Sequence, residues 1–97
     1  MYKIVLTIGH NVKDVPTWST QDIAATATNV LEVSGLTAYE CVGFWNGVNE
    51  KSTRVEIVCD KSHARNIQKR LHILANTLRQ DAIMCEACEF SGSFVSA

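Results

Sequence analysis

Ninety-seven residues make room for one hydrophobic core and not two, so the chain is read as a single domain spanning 1–97. At 46% hydrophobic and 20% charged residues the composition excludes a disordered or fibrous chain, and a net charge of −1 excludes a surface tuned throughout for nucleic acid. No apolar run approaches the ~18 residues of a membrane span, and the start MYKIVLTIGH lacks a small-residue cleavage pattern, so a cytoplasmic protein with no membrane partner is expected.

Taken in chain order, YKIVLTIG alternates Tyr2, Ile4, Leu6 and Ile8 against Lys3, Val5 and Thr7, which is strand periodicity. HNVKDVPTW reads as a loop and carries the only proline, Pro16. STQDIAATATNVLEVSG predicts a helix with Ser19 or Thr20 as its cap, Asp22 near its positive end, and Gly35 closing it in a left-handed conformation. Its apolar stripe is Ile23, Ala27, Val30 and Leu31. LTAYECVGFW and STRVEIVC predict a second and a third strand, the third with Val55, Ile57 and Cys59 on one face and Arg54 and Glu56 on the other. DKSHARNIQKRLHILANTLRQD is a second helix, capped by Asp60 or Ser62, with Ala64, Ile67, Leu71, Leu74 and Leu78 as its stripe. AIMCEACEF predicts a fourth strand, which the tail SGSFVSA extends.

The order β-α-β-β-α-β, with two one-sided helices and right-handed crossovers, predicts an α+β domain of ferredoxin-like topology. In it a four-stranded antiparallel sheet carries both helices on one face. Its other face is then bare. If Ile4 and Ile57 face the helices, Lys3, Val5, Thr7, Arg54, Glu56 and Val58 form that face, a surface suited to a partner or to a second copy in a homodimer. The edge of the second strand is open as well.

Four cysteines invite a metal or disulfide reading. Only Cys85 and Cys88 have C-x-x-C spacing, no second pair accompanies them, and on a strand they point to opposite sides. Buried, reduced structural thiols are expected, with no metal site and no cofactor. No Ser-His-Asp arrangement, phosphate-cradling glycine loop or H-E-x-x-H is present, and no catalytic residue is assigned. His10, at the end of the first strand, stands where a catalytic base could sit, though a hydrogen-bonding loop residue is the commoner role for such a histidine.

Two stretches remain to be explained. Asn46-Gly47 is a turn signal, yet the loop is expected to run on through Val48, Asn49, Glu50 and Lys51. Glu50 and Ser52 either hold the hairpin shape by local hydrogen bonds, or join Asn46 as donors and acceptors around Trp45 as a stacking face for a base or a partner arginine. Phe44 and Trp45 lie on opposite faces of a strand, so one belongs to the core, with Trp45 the better candidate for exposure. The second helix and its end, Lys61–Gln80, hold five basic residues, His63 and His72, and no acid. Arg65, Lys69, His72, Asn76 and Arg79 fall in one line on a helical wheel, either a solvated face or a stripe suited to an acidic or phosphate-bearing surface.

The run GFWNGVNEKSTRVEIV, followed by IQKRLHILANTLRQDAI, resembles a pattern in small uncharacterised proteins of phages and prophages. There a Gly-x-aromatic stretch, a Glu-x-Ser, a strand and a helix ending near Gln-acidic-x-Ile recur in order. The resemblance covers the second half of the chain; GHNVKDVPTW has no counterpart in it. It implies that Gly43, Trp45, Glu50, Ser52, Gln80 and Asp81 are the corresponding positions, in a small accessory or counter-defence protein rather than a metabolic enzyme.

The leading expectation is therefore a non-enzymatic binding protein that blocks a host defence macromolecule, a protein or protein–nucleic-acid complex, in the manner of an anti-CRISPR inhibitor. Arg65, Lys69, His72 and Arg79 would meet the partner and the Trp45 loop would anchor it. The alternative is an oligomeric small-ligand binder such as a nucleotide-sequestering protein, with Arg54 or Arg65 holding phosphate. A third class is a small dimeric enzyme with His10 or Glu50 as acid or base.

Overall fold

Ile4, Leu6 and Ile8 of β1 (Tyr2–Gly9) are fully buried on one side of a sheet, while Lys3 and Thr7 stay half-exposed on the other, as strand alternation requires. The structure is a computed structural model that describes residues 1–12 and 17–97. Residues 13–16, with Pro16, which the sequence reads as loop, and the side chain of Trp45 lie outside the described residues. After β1 come α1 (Thr20–Leu31), β2 (Thr37–Trp45), β3 (Val48–Cys59), α2 (Lys61–Thr77) and β4 (Met84–Glu89). The sheet order is β2-β3-β1-β4, antiparallel throughout, which is the expected ferredoxin-like α+β topology.

Both helices bury their predicted stripes against the same face. Ile23, Ala27 and Leu31 of α1 meet Ala64, Ile67 and Leu74 of α2, with Leu78 just beyond it. All pack on Ile4, Leu6, Ile8, Val55 and Ile57. Ser19 caps α1 in a reciprocal box with Asp22. Its left-handed closing residue is Glu32, not Gly35, because the stripe ends at Leu31 and the chain turns at once. No helix among the described residues is long and apolar enough to cross a membrane.

The hairpin differs from the expected long loop. Asn46 and Gly47, at φ 51° and 76°, form a two-residue turn, and Val48–Lys51 continue as strand paired with β2. Two residues at positive φ match the right-handed twist of the strands they join, so no extra loop is needed. The 12-residue β3 spans about 40 Å at ~3.3 Å per residue, close to the 43 Å long axis of the molecule. The 17-residue α2 reaches only about 25 Å at ~1.5 Å per residue, so the hairpin tip extends past the helical layer. That explains why Phe44, one of two candidates for the core, is 75% exposed together with Val42 and Val48.

The face away from the helices holds the expected row, and it is wired by charge. Lys3 Nζ lies 2.8 Å from Glu56 Oε1, and Arg54 Nη1 lies 3.0 Å from Glu86 Oε1 while donating to Thr7 Oγ1. Its hydrogen bond to Glu56 pushes the Lys3 ammonium up, and the same bond holds the Glu56 carboxyl below the usual range. Val5, framed by these side chains, is only 7% exposed. Cys85 and Cys88 point to opposite sides, opposite Leu6 and Lys3 respectively; contrary to the expectation of burial, Cys88 is exposed at this edge strand. The tail after Glu89 does not extend β4.

Asp60 caps α2. Its carboxylate accepts the His63 backbone N–H at 2.8 Å, a contact to the His63 ring at 2.9 Å and the Ser62 hydroxyl at 2.9 Å. These bonds, the backbone N–H foremost, hold its carboxyl at about 2 instead of 3.8. A depressed folded-state pKa stabilises above the unfolded value and is lost as pH falls through the folded one. Asp60→Ala is therefore expected to lower the thermal midpoint by a few degrees at pH 7. The gap to wild type should close as pH falls from 3.8 toward about 2, followed by circular dichroism.

Candidate functional site

β1 does not stop pairing at its last residue. The His10 N–H donates to the Lys51 carbonyl at 2.9 Å, so β1 and β3 stay in register to the end of the strand, with Gly9 opposite Ser52. Alternation then places Glu50 and Ser52 on the open face beside Gly9 and Gly43. The Glu50 carboxylate lies against the bare Cα of Gly9: a Cβ there would collide with Glu50 Oε1 and stand 3.0 Å from Cδ. Gly9 is thus a glycine because a neighbour fills its side-chain space.

The other wall comes from the end of α2. The helix stops at Thr77, Leu78 is its cap, and Arg79 takes a left-handed φ of 56°. Gln80 pins the turn to β1, its N–H donating to Ala75 O at 2.9 Å and its side-chain amide to Gly9 O at 3.0 Å. Trp18 pins it from beneath, its indole N–H donating to Leu78 O at 2.8 Å. Arg79, Gln80 and Asp81 therefore face Glu50 and Ser52 across a cleft of about 630 Å³ that Thr7, Asn11 and Met84 complete. Among the described residues, Glu50, Arg79 and Asp81 have no ion-pair partner. A second cavity of about 700 Å³ lies at the opposite end of the sheet, lined by Tyr2, Ile57, Val58 and Phe94; of its carboxylates, Asp60 is engaged by His63 and Ser62 and Glu32 by Arg70, while Glu89 has no ion-pair partner among the described residues.

The cleft gathers some of the anticipated residues and scatters others. Glu50, Ser52, Gln80 and Asp81, which only the phage-protein resemblance connects, meet there. Arg79 joins them and leaves the cationic line, since the left-handed turn takes it off the helix axis. Arg65, Lys69 and His72 remain exposed on α2. Asn46 sits at the hairpin tip, in a shallow apolar hollow shared with Asn11, Val48 and Glu50. Arg54 shares the open face but is committed to Thr7 and Glu86. The placement of the Trp45 ring lies outside the described residues.

His10 is not in the cleft. It turns to the helix side, is 4% exposed, and its Nε2 lies 2.6 Å from Thr53 Oγ1, which in turn meets Thr20 Oγ1 at 2.8 Å. This chain ties β1, β3 and the start of α1 together, the hydrogen-bonding role a histidine here most often takes. Sequence reasoning missed Gly9, Thr7 and Asn11. A glycine at an outward position of a strand rich in β-branched residues was the available signal for the first.

No protein-family model matches the chain, and no curated protein matches it in sequence. In three dimensions it is similar to a phage SAM lyase solved in complex with S-methyl-5'-thioadenosine. That likeness has a TM-score of 0.74 and 17% identity, over 91% of this chain and 80% of that one. The apo state of a phage SAM lyase gives 0.75 and 17%, over 90% and 78%. A DUF3240 family protein from Shewanella baltica OS155 gives 0.68 and 14%, over 99% and 97%. At these identities the likeness is one of fold, and two of the three structures are of a SAM lyase from phage.

Gly9→Ala is expected to leave the fold intact, since the flexible Glu50 side chain can swing away, but to displace its carboxylate from the cleft. Thermal unfolding followed by circular dichroism should therefore change little.

Proposed function

We propose that the protein binds an adenosyl sulfonium compound of the S-adenosylmethionine (SAM) type in the cleft at the end of β1 and cleaves it. The observation that carries this reading is the Glu50 carboxylate, unpaired among the described residues and laid against the bare backbone of Gly9. A sulfonium is a fixed cation with no proton to donate, so a hydrogen-bonding cage cannot recognise it; an anion placed in contact can. Support also comes from the fold shared with the two phage SAM lyase structures over nine-tenths of the chain. In such a cleavage the bond pair between sulfur and the four-carbon chain stays on sulfur and leaves S-methyl-5'-thioadenosine. The four-carbon fragment either loses a proton or closes on its own carboxylate. Glu50 supplies the charge that holds the sulfonium in place, and in the first route it can also accept the proton.

The test is to incubate the protein with SAM and quantify S-methyl-5'-thioadenosine by liquid chromatography. Glu50→Gln keeps the shape and removes the charge, and is expected to lower turnover about 10²-fold. Absence of both product and SAM binding in the wild type removes this reading.

A second reading rests on a different surface. Arg65, Lys69 and His72 are exposed on α2, and among the described residues none meets a carboxylate. Ordinary solvated helices mix signs to gain i,i+4 pairs, whereas a one-sign face suits an acidic or phosphate-bearing partner, here a host defence complex that a phage-type protein would block. Lys69→Glu is then expected to weaken capture of that partner from a bacterial lysate, and wild-type capture to fall as salt rises. Equal capture by both proteins at every salt concentration counts against it.

A further inference from the structure

The charges that the sulfonium reading leaves unused lie on either side of Gln80. We propose that Arg79 and Asp81 form an amino-acid subsite in the same cleft, so that the ligand it selects is an adenosyl compound carrying a free α-carboxylate and α-ammonium. This rests on the proposed binding of an adenosyl sulfonium by Glu50.

Among the described residues, three charged side chains converge on the cleft, two anionic and one cationic, and none pairs with another. Their net charge of −1 is the complement of SAM, whose sulfonium, ammonium and carboxylate sum to +1. The sign pattern matches as well as the total. Glu50 takes the sulfonium, Asp81 the ammonium, and Arg79 offers a fork of donors to the carboxylate. The turn is also rigid where it needs to be. Gln80 is held by its backbone on Ala75 and by its amide on Gly9, and this fixes the strand end that carries Glu50's contact and the turn that carries the other two charges as one unit. The residue after a helix cap that goes left-handed is usually glycine or asparagine. Here it is arginine, so the turn keeps a cationic side chain at a position where the backbone disfavours any.

Four ligands separate the contributions by isothermal titration calorimetry. S-Adenosylhomocysteine keeps the amino-acid tail without the sulfonium, S-methyl-5'-thioadenosine has neither, SAM has both, and decarboxylated SAM lacks only the carboxylate. Wild type is expected to bind S-adenosylhomocysteine at least tenfold more tightly than S-methyl-5'-thioadenosine, and SAM more tightly than its decarboxylated form. Arg79→Gly should erase the second preference, and Arg79→Gly and Asp81→Asn should each cut S-adenosylhomocysteine affinity about tenfold, with S-methyl-5'-thioadenosine binding unchanged. Glycine suits the left-handed backbone, so Arg79→Gly should unfold at or above the wild-type temperature and a folding defect cannot imitate the result. Unchanged S-adenosylhomocysteine affinity in both variants overturns the subsite while leaving the nucleoside reading in place. Failure of the wild type to bind any of the four overturns both.

Discussion

The register between β1 and β3 decides both sides of the sheet at once. Pairing Ile4 with Ile57, Leu6 with Val55 and Ile8 with Thr53 puts the apolar row under the helices; the same pairing sets Gly9 against Ser52 and lets Glu50 reach over Gly9. A slip of β3 by one residue would turn Arg54 and Glu56 toward the helices and Val55 and Ile57 away from them. Burying each large aliphatic side chain contributes about 1.5–3 kcal/mol, so the packing of Ile4, Leu6, Ile8, Ile57 and their helical partners outweighs the exposed ion pairs and fixes the register. The lattice of charges on the open face follows from that choice. The cleft is therefore a by-product of the core.

What could be read from the sequence is what period alone controls. Alternation in β1 and β3 and the stripes Ile23–Ala27–Leu31 and Ala64–Ile67–Leu74 give the element order, the faces and the topology. The caps Ser19 and Asp60 were legible because their side chains act on neighbours three residues away. Features set by distant contacts were not. Val48–Lys51 look like loop in isolation and become strand because β2 offers a paired edge and Asn46-Gly47 closes the turn in two residues. Phe44 looks like core, but no helix reaches it. Arg79 continues the cationic helix on a wheel, and only the turn held by Gln80 removes it. At the cleft, the charged residues were visible as residue types, but their meeting depends on a contact between positions 9 and 80 that no local pattern encodes.

The two surfaces that result are carried by different parts of the fold. The cleft joins the end of β1, the first half of β3 and the turn after α2, all fastened by backbone or at least partly buried side-chain hydrogen bonds. The cationic face belongs to the middle of α2, where, among the described residues, only Arg70 is tied down, to the carbonyl of Val30 and to Glu32. Each can vary in sequence without dismantling its counterpart.

The overhang of the β2–β3 hairpin beyond the helices has a dynamic consequence. Its outer residues, Val42, Phe44, Val48 and Asn49, have backbone pairing but almost no apolar cover, so their amides can exchange with solvent by local opening while the protein remains folded. Ser52 and Thr53, a few residues further along β3, are buried and exchange only with much larger openings. Glu50 stands at the boundary between the fast and slow halves of one strand. Fraying of the tip ends at the residue whose carboxylate lines the cleft.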